Sequence, residues 1–403
     1  MRETVDILIS GGGVAGLAAA AAFGSAGWSV LCVDPSAPVT EAQVPGADLR
    51  TTAFLQPSVP VLEAAGLWSR LAPHAMPLQV MRIVDAGGPD PVARVSHDFK
   101  ASDVSDRPFG WNLPNWLLKR EFLARLGDLP NVRFRPGVAT VRLFTRESEA
   151  RVTLSDGSRV SARLLIAADG RNSPMRNALG IGVKTFRYGQ KALAFAVTHP
   201  APHDNISTEV HRSGGPFTLV PLPDHQGKPC SAVVWMDTGA EIARLQALPV
   251  EAFEAAMNTR SAGLFGRLRL ASPLTVWPII AQIADRFSGE RTALMAEAAH
   301  VVPPIGAQGL NMSIADLGAL LALARDDTLG TPAMLDAYHQ RRWPEVKLRL
   351  QGVDLLNRAS MLQTQPLRDL RAAALNTLYT LAPVRRGLMQ MGIGMQQRSL
   401  LEK

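Results

Sequence analysis

An apolar run of strand length, Val5-Asp6-Ile7-Leu8-Ile9, leads straight into Gly11-Gly12-Gly13-Val14-Ala15-Gly16. The spacing Gly-x-Gly-x-x-Gly after a strand leaves few ways to fold. Gly11 supplies backbone angles for a tight turn that a side chain would oppose. Gly13 lets the backbone approach a pyrophosphate closely, and Gly16 lets the following helix pack tightly on the strand. That helix is predicted over Val14–Ala26. Its first turn, Val14 and Ala15 included, carries free N–H groups and the positive end of the dipole, which favour a phosphate. A second apolar run ends at Asp34, 21 residues past Gly13 (34 − 13), where a carboxylate can accept hydrogen bonds from ribose hydroxyls. Strand, glycine turn, helix, strand and acid together predict a unit that binds an adenine dinucleotide.

Ile7 to Val33 contains no charged residue and is long enough to span a bilayer. Its glycines, with Ser10, Ser25 and Ser29, fit the strand–helix–strand reading better. Glu3 and Asp6 stand where a secretory signal would be basic. At 403 residues, with 47% hydrophobic and 19% charged residues, the chain suits two domains, or one with a large insertion. Cys32 and Cys230 are the two cysteines. They provide no disulfide framework, and the expected compartment is the reducing cytoplasm. Cys32 falls inside the second strand and reads as a buried apolar residue. No histidine or cysteine spacing suggests a metal centre.

Helices are expected over Ser58–Leu71, Asn115–Leu126 with Asn115 as N-cap, and Glu251–Arg260. Strands are expected at Gln79–Asp85, Phe109–Leu113, Val132–Arg135, Val138–Phe144, Ala150–Leu154 and Arg159–Ala167, with Asp156-Gly157 as a hairpin turn. From about 193 to 276, short alternating runs separated by Pro- and Gly-containing turns read as an antiparallel sheet. Thr292–Met295 returns to the parallel sheet, and a helix over Gly309–Ala324 opens a largely helical C-terminus. The fold class is α/β: a Rossmann-like dinucleotide-binding domain (1–75, 105–180 and 277–345), an inserted antiparallel-sheet substrate domain (76–104 and 181–276), and a helical C-terminal region (346–403).

Two further segments bear on the ligand. In the first, Arg163 to Ala168 runs into Asp169-Gly170, where the aspartate can accept from sugar hydroxyls or fix the loop. The second reads Ala296-Glu297-Ala298-Ala299-His300, then Pro303-Pro304-Ile305-Gly306-Ala307-Gln308-Gly309-Leu310-Asn311. Its glycines expose bare backbone at a helix start. Those N–H groups suit the N1–C2=O edge of a flavin, which gains negative charge on reduction.

These motifs, in this order, resemble the single-component FAD-dependent aromatic hydroxylases related to para-hydroxybenzoate hydroxylase, and within them the ubiquinone-biosynthesis hydroxylases. The resemblance covers about residues 3–345. It implies FAD held by Gly11, Gly13, Val14, Ala15, Gly16, Asp34, Arg50, Asp169, Gly170, Glu297, Gly306, Gln308, Gly309, Leu310 and Asn311. It implies reduction by NADH or NADPH, then a flavin C4a-hydroperoxide that hydroxylates an electron-rich ring, here a polyprenylated phenol. His300 and Pro304 are the candidate catalytic residues, the histidine tuning the flavin or relaying a proton and the proline stiffening the approach. A buried histidine satisfied by hydrogen bonds is the competing reading of His300. Two positions depart from the pattern. Ala296 stands for the usual glycine and Glu297 for the usual aspartate, and one extra methylene carries the carboxylate about 1.5 Å farther. A flavin hydroxylase or reductase of another substrate, or a non-catalytic FAD-binding subunit of a biosynthetic complex, are the alternatives.

Residues 341–403 hold 11 Arg or Lys against 4 acids, +7, which is the net charge of the whole chain. Leu and Met recur there at helical spacing. The segment is expected to be either a helical cap or a basic amphipathic surface that meets an anionic membrane or a partner in a biosynthetic complex. The localisation expected is cytoplasmic, with peripheral attachment at the inner membrane surface. No aromatic platform or known fold points to nucleic acid.

Overall fold

The computed structural model describes residues 2–394. Arg398, Glu402 and Lys403 of the basic segment lie outside them. Two large sheets organise the chain. The first has eight strands; its main path runs Ser288–Gly289, Thr292–Leu294, Arg159–Ala167, Arg2–Ser10, Val30–Asp34 and Val132–Pro136. Its centre is parallel, with Ser10 opposite both Ala167 and Val33 and with Leu294 opposite Ala167. The strands read as near-continuous apolar runs because helices cover the sheet. The fingerprint helix Val14–Ser25 is buried along Gly16–Gly24, and the helix Asn115–Gly127 packs against it.

The second sheet has nine strands, and its main path is His300–Val301, Thr275–Ala284, Val183–Thr198, Lys228–Thr238, Pro216–His225, Ile206–His211, Val80–Asp85 and Val95–Lys100. It is antiparallel except where Ile206–His211 runs parallel to Val80–Asp85. The strand Thr275–Ala284 continues across position 277, so the second sheet keeps the chain up to Ala284. A three-stranded sheet of Thr51–Leu55, Gly110–Pro114 and Met76–Leu78 touches the strand Pro216–His225 of the second sheet and the helices Asn115–Gly127 and Gln308–Leu323.

Local expectations fail where a single residue overrides the pattern. The helix expected over Ser58–Leu71 is two short ones, Val59–Ala64 and Trp68–Leu71, because Gly66 adopts φ 68° between them. Asn115 is the first helical residue and not the N-cap, which is Pro114. Its amide instead donates to Asp48 at 3.0 Å and its carbonyl accepts from Thr52 at 2.8 Å.

Three helices follow: Pro332–Ser360, Gln365–Thr380 and Ala382–Ile393. The first crosses both sheets. Tyr338 donates to the Leu294 carbonyl at 2.8 Å, and Asn357 donates to Gln190 at 2.9 Å. The second docks on the far edge of the nine-stranded sheet through Asp85, which is 1% exposed. Asp85 takes Arg94 at 2.6 Å and Arg371 at 2.7 Å. Burial alone would raise its carboxyl; the bonds from Arg94, Gly87 and Arg371 outweigh that and hold it below the usual range. Removing a partner from a buried ion pair leaves an uncompensated charge. Asp85→Ala is therefore expected to cost about 3 kcal/mol and to expose the 365–380 helix to proteolysis. Urea denaturation and limited trypsinolysis check this; an unchanged midpoint with an uncut tail would show that the anchor is not needed.

Candidate functional site

Parallel pairing in the first sheet brings the three motifs side by side at the C-terminal ends of adjacent strands, where open α/β sheets bind ligands. Gly11 turns at φ 107°, and a Cβ there would sit 2.4 Å from the Ala168 carbonyl oxygen. A Cβ on Gly16 would sit 1.8 Å from the Gly11 oxygen. Both glycines are therefore demanded by the fold itself. A Cβ on Gly13 would meet nothing within 4 Å, and no side chain caps the helix it begins. Asp34 uses one carboxylate oxygen on the Gly12 N–H at 2.7 Å and the other on Ser36 N–H at 2.8 Å. Asp169 accepts from Ser10 and the Met175 N–H, each at 3.3 Å, while its Oδ1 is buried with no hydrogen-bond partner. Burial raises the Asp169 carboxyl above its ordinary range. Gly170 turns beside it at φ 84°. An uncapped helix start, an open glycine and an orphaned acceptor form a polar cradle of the kind a dinucleotide can complete.

The third motif stitches the two sheets together. Thr292–Leu294 belongs to the first and His300–Val301 to the second, with a turn at Ala296–Ala298 between them. Beneath that turn lies Asp316, which is fully buried. It accepts from His300 Nε2 at 2.6 Å, Arg342 Nε at 2.8 Å and the Ala296 N–H at 3.2 Å. Burial alone would raise its carboxyl; His300 and Arg342 outweigh that and hold it low. The stability it contributes is thus full above the unfolded carboxylate value of about 4 and is lost as pH falls toward the lower folded value. Sequence reading missed Asp316 and Arg342. A signal was present, because Asp316 is the one charged residue in the helix Gln308–Leu323.

His300 is 2% exposed and committed to this group. Pro304, Leu310 and Asn311 are half-buried, and Gly309 is exposed. The Asn311 amide is wholly engaged with protein. It accepts from Leu55 N–H at 2.8 Å and Ser58 at 2.7 Å and donates to the Ala53 and Ala307 carbonyls at 2.7 and 2.6 Å. Gln308 donates to the Gly306 and Gly392 carbonyls at 2.7 and 3.1 Å and accepts from Arg349 at 2.5 Å. What these two offer a cofactor is therefore backbone. Arg50 forms a two-pronged pair with Asp48, both bonds 2.7 Å, and stacks on Trp277 at 5.5 Å. The Asp48 bond chiefly, and the charge of the exposed Glu297 in smaller part, hold its guanidinium above its ordinary value against the effect of burial. Trp277, Tyr188, Val302 and Ile305 pack around the loop as an apolar wall where it meets the second sheet.

Strain gathers in the same segment. Ala296 has φ 54°, and Ala307, at the start of the helix, has φ 55°. A side chain disfavours this region by roughly 1–2 kcal/mol. Such outliers concentrate at functional sites.

A family model described as "FAD binding domain" matches residues 4–352. Ubiquinone hydroxylase UbiL of Rhodospirillum rubrum is 32% identical over 397 residues, covering 97% of this chain and 90% of that protein. The 3-demethoxyubiquinol 3-hydroxylase of Escherichia coli is 24% identical, covering 98% and 100%. Among solved structures, p-nitrophenol 4-monooxygenase PnpA from Pseudomonas putida superposes with a TM-score of 0.77 at 18% identity, covering 97% of this chain and 99% of that one.

Two outcomes follow from this geometry. Gly13→Val is expected to fold with near-native thermal stability and lose FAD, whereas Gly16→Ala is expected to give little folded protein. Flavin absorbance beside circular dichroism of each variant separates them, and a Gly13→Val protein that retains flavin would remove this glycine from the cradle. Ala296→Gly relieves the left-handed strain and is expected to raise stability by up to about 1 kcal/mol, read as a higher denaturation midpoint; a lower midpoint would place the strain elsewhere.

Proposed function

The chain belongs to the FAD-binding-domain family, and on that premise we propose that it hydroxylates the ring of a polyprenylated phenol or quinone precursor in ubiquinone biosynthesis. It is an FAD-dependent monooxygenase, with NADH or NADPH as the transient electron donor. The observation that carries the substrate reading is the near full-length similarity to a ubiquinone hydroxylase. The apolar wall facing the flavin loop suits such a substrate.

When bound and reduced, FAD supplies the oxygen activation; the protein's task is to bind, orient and exclude water. Gly11, Gly13, Val14, Ala15 and Gly16 present helix N–H groups to the pyrophosphate. Asp34, Asp169 with Gly170, and Glu297 would serve the sugar and ribityl hydroxyls. Gly306, Gln308, Gly309, Leu310 and Asn311 would set a helix N-terminus toward the flavin, where its dipole would support negative charge. Arg50 adds a cation held in place by Asp48 and Trp277. Pro304 would stiffen the loop that approaches the flavin. His300 acts through Asp316 to position the turn.

The substrate reading bears on where the enzyme works. No helix among the described residues is long and apolar enough to cross a membrane. A long prenyl chain partitions into lipid, so enzyme and substrate meet at its surface. The basic tail is less of a free charge patch than its sequence suggests. Arg342, Arg349, Arg358, Arg371 and Arg385 all pair within the fold. Its apolar residues are what face outward: Leu348 is 71% exposed, Leu355 69% and Leu370 64%. Leu348 and Leu355, seven residues apart on one helix, share a face, and an exposed apolar face suits a membrane or protein contact. Attachment through 341–403, to a membrane surface or to a biosynthetic complex, thus rests more on apolar area than on charge.

The purified holoenzyme, given NADH or NADPH, labelled O₂ and a prenylated phenol in anionic vesicles, is expected to place one labelled oxygen on the ring. Arg50→Ala is expected to lower kcat/KM about 10²-fold. Mass spectrometry of the extracted lipid reads the product. Nicotinamide oxidation that no prenylated phenol stimulates, with no labelled product, would overturn the substrate assignment.

A further inference from the structure

The last helix, Ala382–Ile393, is apolar on two faces. Met389 and Ile393 are buried, while Val384, Leu388 and Met391 are 40%, 45% and 57% exposed. A helix at ordinary solvent exposure keeps its apolar residues on one stripe. Under it lie Met81, Phe99, Ala101, Val104 and Phe109, an apolar floor on the near side of the second sheet.

The floor leads to the flavin loop. The Phe109 carbonyl accepts from the Gln56 N–H at 3.3 Å, and the neighbouring Leu55 N–H donates to Asn311 of the flavin-loop helix at 2.8 Å. The helix end touches the same loop, where Gln308 donates to the Gly392 carbonyl at 3.1 Å.

The attachments on either side of Leu381 are unequal. The preceding helix, Gln365–Thr380, is fixed by Arg371 to Asp85, by Arg94 to Asp369 at 2.5 Å, and by Tyr379, which stacks on His97 at 4.0 Å and donates to the Asp98 carbonyl at 3.2 Å. Beyond Leu381, an extended residue at φ −81° and ψ 88°, the described polar ties to the rest of the fold are few. Gly392 meets Gln308, and Arg385 lies 3.8 Å from Asp103. Arg385 otherwise turns back to the Tyr379 carbonyl and ring. A well-anchored strut thus carries a lightly tied flap.

We infer that Ala382–Ile393 is a flap that roofs an apolar groove, and that the groove receives the isoprenoid chain of the substrate when the flap lifts onto lipid. This rests on the prenylated-phenol reading above. A chain-like apolar ligand is the occupant because Met81, Phe99, Ala101, Val104 and Phe109 offer it apolar side chains, and because floor and flap are both tied to the loop where the ring would sit. Lifting exchanges the seat of Met389 and Ile393 for lipid and frees the floor for the chain.

The test is thiol protection in the holoenzyme. Val104→Cys, with Ala101→Cys as a second probe, places a thiol on the floor; the native Cys32 and Cys230 are both buried. Maleimide labelling is followed by mass spectrometry, with and without Met389→Gln/Ile393→Gln to unseat the flap. Unseating is expected to speed labelling by roughly tenfold or more, since local opening sets access. A long-chain prenylated phenol in vesicles should then protect the thiol, and the same phenol with a methyl in place of the chain should not. Labelling that ignores the long-chain lipid, or equal protection by both phenols, overturns the groove assignment. FAD content, read on the same samples, must stay level, because a flap that merely holds the fold together would lose flavin when unseated and so refute the proposal. Protection without ring hydroxylation upholds the groove and sinks the hydroxylase reading; hydroxylation without protection does the reverse.

Discussion

One buried carboxylate organises the region where the two large sheets meet. Asp316 is fully buried, and among the described residues His300, Arg342 and the Ala296 N–H support its charge. Each partner comes from a different element. Arg342 brings the long C-terminal helix, His300 the edge of the second sheet, and Ala296 the turn beside the cofactor cradle. A neutral contact could slide, but a buried ion cannot lose a partner without a penalty of several kcal/mol. That penalty fixes the relative position of three elements and supports a left-handed alanine that would otherwise relax.

The cofactor half was legible in the sequence because its determinants are local. Gly11 and Gly16 lie a few residues apart, and each is required by atoms close to it or paired with its own strand. The strands Ala150–Leu154 and Arg159–Ala167 coincide with their expected bounds, since alternating burial and an Asp-Gly turn specify a hairpin within one short window. Asp316 and Arg342 lie 26 residues apart, and neither announces its partner. Gln308 and Asn311 look like cofactor ligands from their motif, yet their amides hold the loop to Gly306, Gly392, Ala53 and Ala307. A motif names the residues; only the assembled chain shows which of their atoms are still available.

The tail shows the same limit from the other side. Counting charges made it a basic segment, but guanidinium groups have two uses that composition cannot separate. Arg371 compensates a buried carboxylate, and Arg385 stacks on Tyr379. Planar, weakly hydrated and always charged, arginine suits such sites better than lysine. Of the described residues from 341 onward, Lys347 alone is a lysine, and it sits over Trp343 at 4.9 Å.

The nine-stranded sheet takes chain from separate stretches of sequence: 80–100, 183–238, 269–284 and 300–301. Between the last two, the chain enters the parallel sheet and returns. No single cut therefore frees the nine-stranded half as a cassette. A chimera that exchanged it would sever the hydrogen bonds on which the neighbouring cofactor turn relies. Change on this scaffold must instead come one side chain at a time, in a half that stays sewn to its neighbour.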